Sequence, residues 1–140
     1  MGTRRVVEVL SRETCLDLLS RAEIGRVVLT SQALPTAMPV NYAFDGTDIV
    51  FRTGAGAKLA AARAGTVVAF EVDEFEPALR VGWSVIATGI ATPLAHPDEI
   101  EAANRLNIGT WVETSQAHYV RLRPQMLTGR RISLAQAEAG

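Results

Sequence analysis

Met38-Pro39-Val40-Asn41-Tyr42, an Asp45-Gly46 pair, and Ile49-Val50-Phe51-Arg52-Thr53-Gly54-Ala55-Gly56-Ala57-Lys58-Leu59 decide how this chain is read. Two β-rich runs joined by a turn pair predict a hairpin, and the second run empties into a Gly-rich loop. Glycines let backbone N–H groups approach an anion, Thr53 offers a hydroxyl, and Arg52 and Lys58 bring positive charge to the same few residues. One reading is therefore a phosphate cradle. The other is a hairpin followed by an ordinary turn with two solvated cations.

On the N-terminal side, Ser11 before Arg12-Glu13-Thr14 has the form of an N-cap, with Leu10 and Cys15 placed as a hydrophobic staple. Cys15, Leu18, Leu19 and Ala22 recur at helical spacing, and Gly25 is the expected stop. Arg26 to Ser31 is β-branched and apolar; Pro35 is expected to break it before Thr36 to Phe44 resumes an extended pattern.

On the C-terminal side, Asp48 to Thr53 is a strand and Lys58 to Arg63 a short helix ended by Gly65. Thr66 to Val72 is apolar enough for a buried strand, Asp73 to Pro77 an acidic loop, and Gly82 to Leu94 a long strand with a bulge or bend at Gly89. His96-Pro97-Asp98-Glu99 opens a second amphipathic helix. After Trp111 the chain returns to β at Tyr119 to Leu122 and Leu127 to Ile132, with a polar tail over 133–140. Early connections are too short for parallel crossovers, so the pattern predicts a closed or nearly closed antiparallel barrel with short helices as plugs.

The 140 residues predict a single domain, and 48% hydrophobic with 21% charged residues fits a folded, soluble one. Fourteen basic against fifteen acidic residues give a net charge of −1, so no global basic field points to nucleic acid or an anionic membrane, and an anion site must be local. The lone Cys15 excludes an intramolecular disulfide, and with only His96 and His118 beside it no metal-ligand spacing appears. No apolar run approaches the roughly 18 residues of a membrane span, and the N-terminus lacks a secretory h-region; cytoplasm is the expected location.

The ordered set Gly25-Arg26-Val27, Pro39-Val40-Asn41-Tyr42, Phe51-Arg52-Thr53, Lys58-Leu59, Val68-Ala69-Phe70-Glu71-Val72-Asp73, Gly82-Trp83-Ser84-Val85 and Thr128-Gly129-Arg130-Arg131 resembles the pyridoxamine 5′-phosphate oxidase-like flavin-binding split-barrel family. The likeness covers about residues 8 to 132. It implies a mainly β chain folded as a six-stranded antiparallel split β-barrel, a two-fold homodimer, and flavin mononucleotide (FMN) in a groove between subunits. By position, Pro39, Val40 and Asn41 line the isoalloxazine through main-chain groups, Phe51, Arg52, Thr53, Lys58 and Leu59 form the phosphate segment, and Trp83, Ser84 and Val85 lie near the cofactor.

Several residues keep two readings. Trp83 suits a core or an interface as well as a cofactor wall, and Asn41 could satisfy a buried backbone group. Glu71 and Asp73 share one face of a strand, as a paired acid and base, a solvent-facing edge, or partners of an arginine. Arg130 and Arg131 alternate, so at most one faces a groove. His118 and Tyr119 have no nucleophile partner, and no catalytic side chain is assigned. The resemblance implies an oxidoreductase, a reductase of a small molecule with its chemistry on the cofactor. Nothing after Tyr119 matches the pyridine-binding motif of the true pyridoxamine phosphate oxidases, which sets vitamin B6 oxidation aside. A deazaflavin coenzyme in the same fold, and a dimeric cofactor-binding module without turnover, are the alternatives.

Overall fold

The computed structural model describes residues 3–109 and 117–136. In chain order these form β1 (Thr3–Val9), α1 (Arg12–Leu19), β2 (Ile24–Ser31), β3 (Leu34–Phe44), β4 (Ile49–Thr53), α2 (Ala57–Arg63), β5 (Val67–Glu76), β6 (Val81–Pro93), α3 (Pro97–Asn104), β7 (His118–Leu122) and β8 (Met126–Gln136). Neighbours run antiparallel in the order β6-β5-β2-β3-β4-β7, and β7 returns to β6, which closes a six-stranded barrel. Beyond it, β8 pairs with β6 and β1 with β8 as a two-strand extension.

Closure depends on β6 changing partners. Its residues 82–88 pair with β8, while Ala91 to Pro93 pair with β7. Gly89 stands at the change-over, where a side chain would meet the Arg123 carbonyl oxygen, so the bend expected there is a close backbone approach.

Alternation along each strand sends one row of side chains inward. Val27 and Leu29, Val40 and Tyr42, Ile49 and Phe51, Phe70 and Val72, Val85 and Ala87, and Val120 and Leu122 are buried there. Phe70 is the hub: Tyr42 meets it edge-on at 4.9 Å and Phe51 lies stacked at 6.2 Å. Helix α1 covers this core with Cys15, Leu18 and Leu19, and Tyr42 donates its hydroxyl hydrogen to the Leu19 carbonyl at 2.6 Å.

The N-cap at Ser11 is as the sequence predicts, its Oγ accepting from Thr14 N at 3.1 Å. The stop is not Gly25, because α1 ends at Leu19 with Ser20 as its cap. Gly25 instead sits within β2, where an added Cβ would lie 2.3 Å from the Phe70 ring. Pro35 does not break a strand either. The turn falls at Gln32-Ala33, both with positive φ as a two-residue primed turn requires, and Pro35 pairs with Thr30 in the hairpin that follows.

The Asp45-Gly46 turn holds as read, Asp45 Oδ1 accepting from Thr47 N and Asp48 N. Asp73 to Glu76 is strand rather than acidic loop, since β5 continues to Glu76 against Val81. The N-terminus adds β1, which the sequence pattern hid, and residues 133–136 of the expected tail pair with its residues 3–6. Trp111 and residues 137–140 lie outside the described residues. Among the described residues no helix is long and apolar enough to cross a membrane.

Candidate functional site

The hairpin β3–β4 delivers Arg52 and Thr53 to the last two positions of β4, and the 54–56 loop then hands the chain to α2. Gly56 has φ of +146°, a conformation side chains rarely adopt, and neither Gly54 nor Gly56 has any atom within 4 Å of where a Cβ would stand. The loop therefore leaves open space beside its backbone. Lys58 follows in the first turn of α2, whose Leu59, Ala61 and Ala62 are buried.

Both cations of this segment lack an acidic partner among the described residues. The Arg52 Nε is buried without a hydrogen-bond partner, and its guanidinium lies 5.8 Å from the ring centroid of Tyr119, its cross-strand neighbour on β7. Lys58 Nζ has only the Met38 sulfur at 4.0 Å, and burial pulls its ammonium below the usual lysine range. By contrast, two neighbouring arginines on and after β7 meet carboxylates: Arg123 holds Asp48 through two bonds of 2.8 and 3.2 Å, and Arg121 reaches Glu99 at 2.9 Å. A half-buried cation without a counter-charge is costly. Two of them flanking one Gly-rich loop fit a dianionic phosphate supplied from outside the chain.

Thr53 is buried, and its hydroxyl donates to the neighbouring Gly54 carbonyl at 3.1 Å. Adjacent strand residues face opposite ways, so Arg52 leaves β4 on the outer side and Thr53 on the inner one. Arg52, Thr53 and Lys58 thus share the rim at the end of β4 without sharing one side of it.

The other sequence-assigned residues divide by alternation. Val40, Phe51, Leu59 and Val85 are buried in the core, so a ligand reaches them through main-chain atoms only. Pro39 and Asn41 face the outside of the barrel, opposite Arg26 and Ile24 of β2. Ser84 pairs with Asp73 on one side and Arg130 on the other. Trp83 is half-buried and, with Arg131, Ile132 and Leu134, lines an open apolar groove of about 330 Å³.

The open question over Glu71 and Asp73 resolves to an arginine partner. Arg26 Nη1 donates to Glu71 Oε1 at 3.2 Å and to Asp73 Oδ2 at 3.3 Å. Burial and the hydrogen bond shared with Asp73 outweigh that guanidinium and push the Glu71 carboxyl up to about 7. Around this triad the outer face of β2, β5 and β6 also exposes the aliphatic side chains of Val28, Val67, Ile86 and Ile90. Arg131 lies 3.8 Å from Glu8.

Sequence reasoning missed Tyr119 as a neighbour of Arg52, because register between strands nearly seventy residues apart is not written in either strand. It also missed Met38 as the group beside Lys58.

Comparison with known proteins agrees with this architecture. The chain matches the pyridoxamine 5′-phosphate oxidase family over residues 11–131. The uncharacterised protein Rv0080 of Mycobacterium tuberculosis is 39% identical over 136 residues, which cover 94% of this chain and 88% of that protein. A solved FAD binding protein from Mycobacterium smegmatis superposes with a TM-score of 0.75 at 33% identity, covering 89% of this chain and 98% of the other. A Corynebacterium glutamicum structure assigned to the pyridoxamine 5′-phosphate oxidases gives 0.78 at 30% identity, over 93% and 96% of the two chains. With a barrel of this topology and a match spanning most of its length, the chain belongs to the pyridoxamine 5′-phosphate oxidase family.

Proposed function

We propose that this protein is a flavin-nucleotide-binding oxidoreductase that works as a two-fold homodimer and reduces a small molecule. The observation that carries the reading is the pair of rim cations, Arg52 with a buried, unpartnered Nε and Lys58 with a thioether as its neighbour. Such groups are stabilised by an anion, and the flavin nucleotides, FMN and FAD, present phosphate on an otherwise flat apolar ring. The Mycobacterium smegmatis relative, an FAD binding protein at 33% identity, supports a flavin as the group concerned.

In this reading Arg52 and Lys58 hold the phosphate, each charge-assisted hydrogen bond contributing roughly 1.5–3 kcal/mol. The N–H groups of the 54–56 loop complete the cradle, with Thr53 contributing through its main chain at the end of β4, and the Pro39–Asn41 edge supplies main-chain groups to the ring. A bound flavin supplies the two-electron carrier, and the protein supplies position, polarity and exclusion of water. The homodimer reading draws on the exposed aliphatic side chains Val28, Val67, Ile86 and Ile90 on the outer face of the barrel, which a partner subunit would cover.

Titration with FMN, FAD, riboflavin and the deazaflavin coenzyme, followed by native mass spectrometry of the loaded protein, tests the reading. We expect a flavin nucleotide to bind far more tightly than phosphate-free riboflavin, with two flavins per dimer. Equal affinity for riboflavin and FMN overturns the phosphate cradle, and preference for the deazaflavin overturns the flavin assignment. A monomer that binds with full affinity overturns the dimer. Turnover is then read as reoxidation of the reduced holoprotein by a panel of small-molecule acceptors.

A further inference from the structure

An arginine that must bind an external anion faces a conflict. A carboxylate partner would fix its geometry and also cancel its charge and occupy its N–H donors. Among the described residues, Arg21, Arg26, Arg105, Arg121, Arg123 and Arg131 each lie within 4.0 Å of a carboxylate oxygen. Arg52 does not. It has an aromatic face, Tyr119, at 5.8 Å. A ring attracts a guanidinium through its quadrupole without neutralising it or consuming a hydrogen-bond donor.

That ring is itself fixed. Tyr119 is half-buried, it pairs directly with Arg52 across the β4–β7 ladder, and its hydroxyl donates to Asn104 Oδ1 at 2.7 Å. Asn104 is the last residue of α3, and α3 packs on the outside of the barrel through Ala103 against Val50 and Tyr119. A chain of contacts therefore runs from α3 through Asn104 and Tyr119 to Arg52.

We propose that Tyr119, held by Asn104, is a positioning residue that keeps the Arg52 guanidinium ordered and charged for a phosphate-bearing ligand. This rests on the phosphate cradle proposed above. An arginine left free in solvent must be immobilised when the ligand arrives, and ordering one such side chain costs about 0.5–1.5 kcal/mol, equivalent to roughly 2- to 12-fold in affinity. Tyr119 removes much of that cost beforehand.

The test compares FMN with riboflavin, which shares the ring and lacks the phosphate, in full-length protein and in Tyr119→Leu, Tyr119→Phe, Arg52→Ala and the Tyr119→Leu/Arg52→Ala double variant. Tyr119→Leu is expected to weaken FMN roughly 2- to 12-fold and leave riboflavin unchanged, Tyr119→Phe, which keeps the ring but loses its bond to Asn104, to weaken FMN by a smaller factor, and the double variant to bind FMN no worse than Arg52→Ala. Equal losses for FMN and riboflavin, or losses that multiply in the double variant, overturn the positioning role and make Tyr119 merely structural. Undiminished FMN affinity in Arg52→Ala overturns the cradle itself. Loss in Arg52→Ala with none in Tyr119→Leu overturns this inference alone. If Tyr119→Leu does not fold, Asn104→Ala at the exposed end of α3 carries the same test, expected to lower FMN affinity and spare riboflavin; no selective loss there overturns the proposal.

Discussion

Replacing Lys58 with methionine should move two properties in opposite directions. Methionine keeps the unbranched length and helix propensity of lysine while removing the ammonium. In the ligand-free protein that ammonium is half-buried beside the Met38 sulfur, 4.0 Å away, with no carboxylate near it among the described residues, and burial depresses its pKa. A depressed lysine pKa means the fold disfavours the charged form, so at neutral pH the charge lowers stability. Removing it should raise the stability of the ligand-free fold by less than about 1 kcal/mol, since solvent still screens the half-exposed side chain. For a chain of 140 residues this is a rise in Tm of at most about 3 °C.

In the proposed cradle the same change deletes one charge-assisted bond to the phosphate, worth roughly 1.5–3 kcal/mol, so FMN affinity should fall about 10- to 150-fold. Calorimetry of ligand-free protein and fluorescence titration with FMN read the two quantities separately. A lower Tm in Lys58→Met would show that the side chain supports the fold, and an unchanged FMN affinity would remove Lys58 from the cradle. Either result refutes the reasoning that an unpaired cation is kept here at the expense of stability because a ligand needs it.

Gly25→Ala places a methyl group 2.3 Å from the Phe70 ring, which Tyr42 and Phe51 already confine. Overpacking of about 2–3 kcal/mol should lower Tm by roughly 7–10 °C, and adding Phe70→Leu should recover part of it. Glu71 has a carboxyl raised to about 7, so the folded state holds its proton more tightly than the unfolded chain does. Its contribution to stability is complete below the ordinary glutamate range and is lost as pH rises toward 7 and above. Denaturation between pH 4.5 and 8 should therefore show wild type losing about 1 kcal/mol relative to Glu71→Gln, solvent screening included. Finally, Ile86→Lys puts a charge in the apolar outer face of β6 and should shift analytical ultracentrifugation toward monomer while leaving Tm of the monomer within a few degrees.

Much of the barrel was legible because strand and helix periods leave marks that adjacent residues share. Val27 to Ser31, Val40 to Phe44 and Val67 to Val72 alternate or run apolar, Asp45-Gly46 carries the chemistry of a tight turn, and Ser11 can cap a helix whichever barrel surrounds it. Errors fell where a tertiary partner overrides local preference. Pro35 looks like a break but fits inside β3, because the adjoining β2 supplies its neighbour and β3 closes on β4 only from Tyr42 onward. Asp73 to Glu76 reads as an acidic loop until β6 pairs with it. The strand β1 is marked by basic residues and takes its conformation from β8.

The same division holds at the candidate site. Sequence alone set the ingredients: two cations, a threonine and a Gly-rich loop within seven residues, because their spacing along the chain fixes how far apart they can be. Only the tertiary structure decided that no carboxylate answers those cations among the described residues, that Glu71 and Asp73 are spent on Arg26, and that Tyr119 stands beside Arg52. Register between strands distant in sequence is set by closure of the barrel and packing around Phe70. Whether a charge is paired therefore depends on residues that the local sequence does not contain.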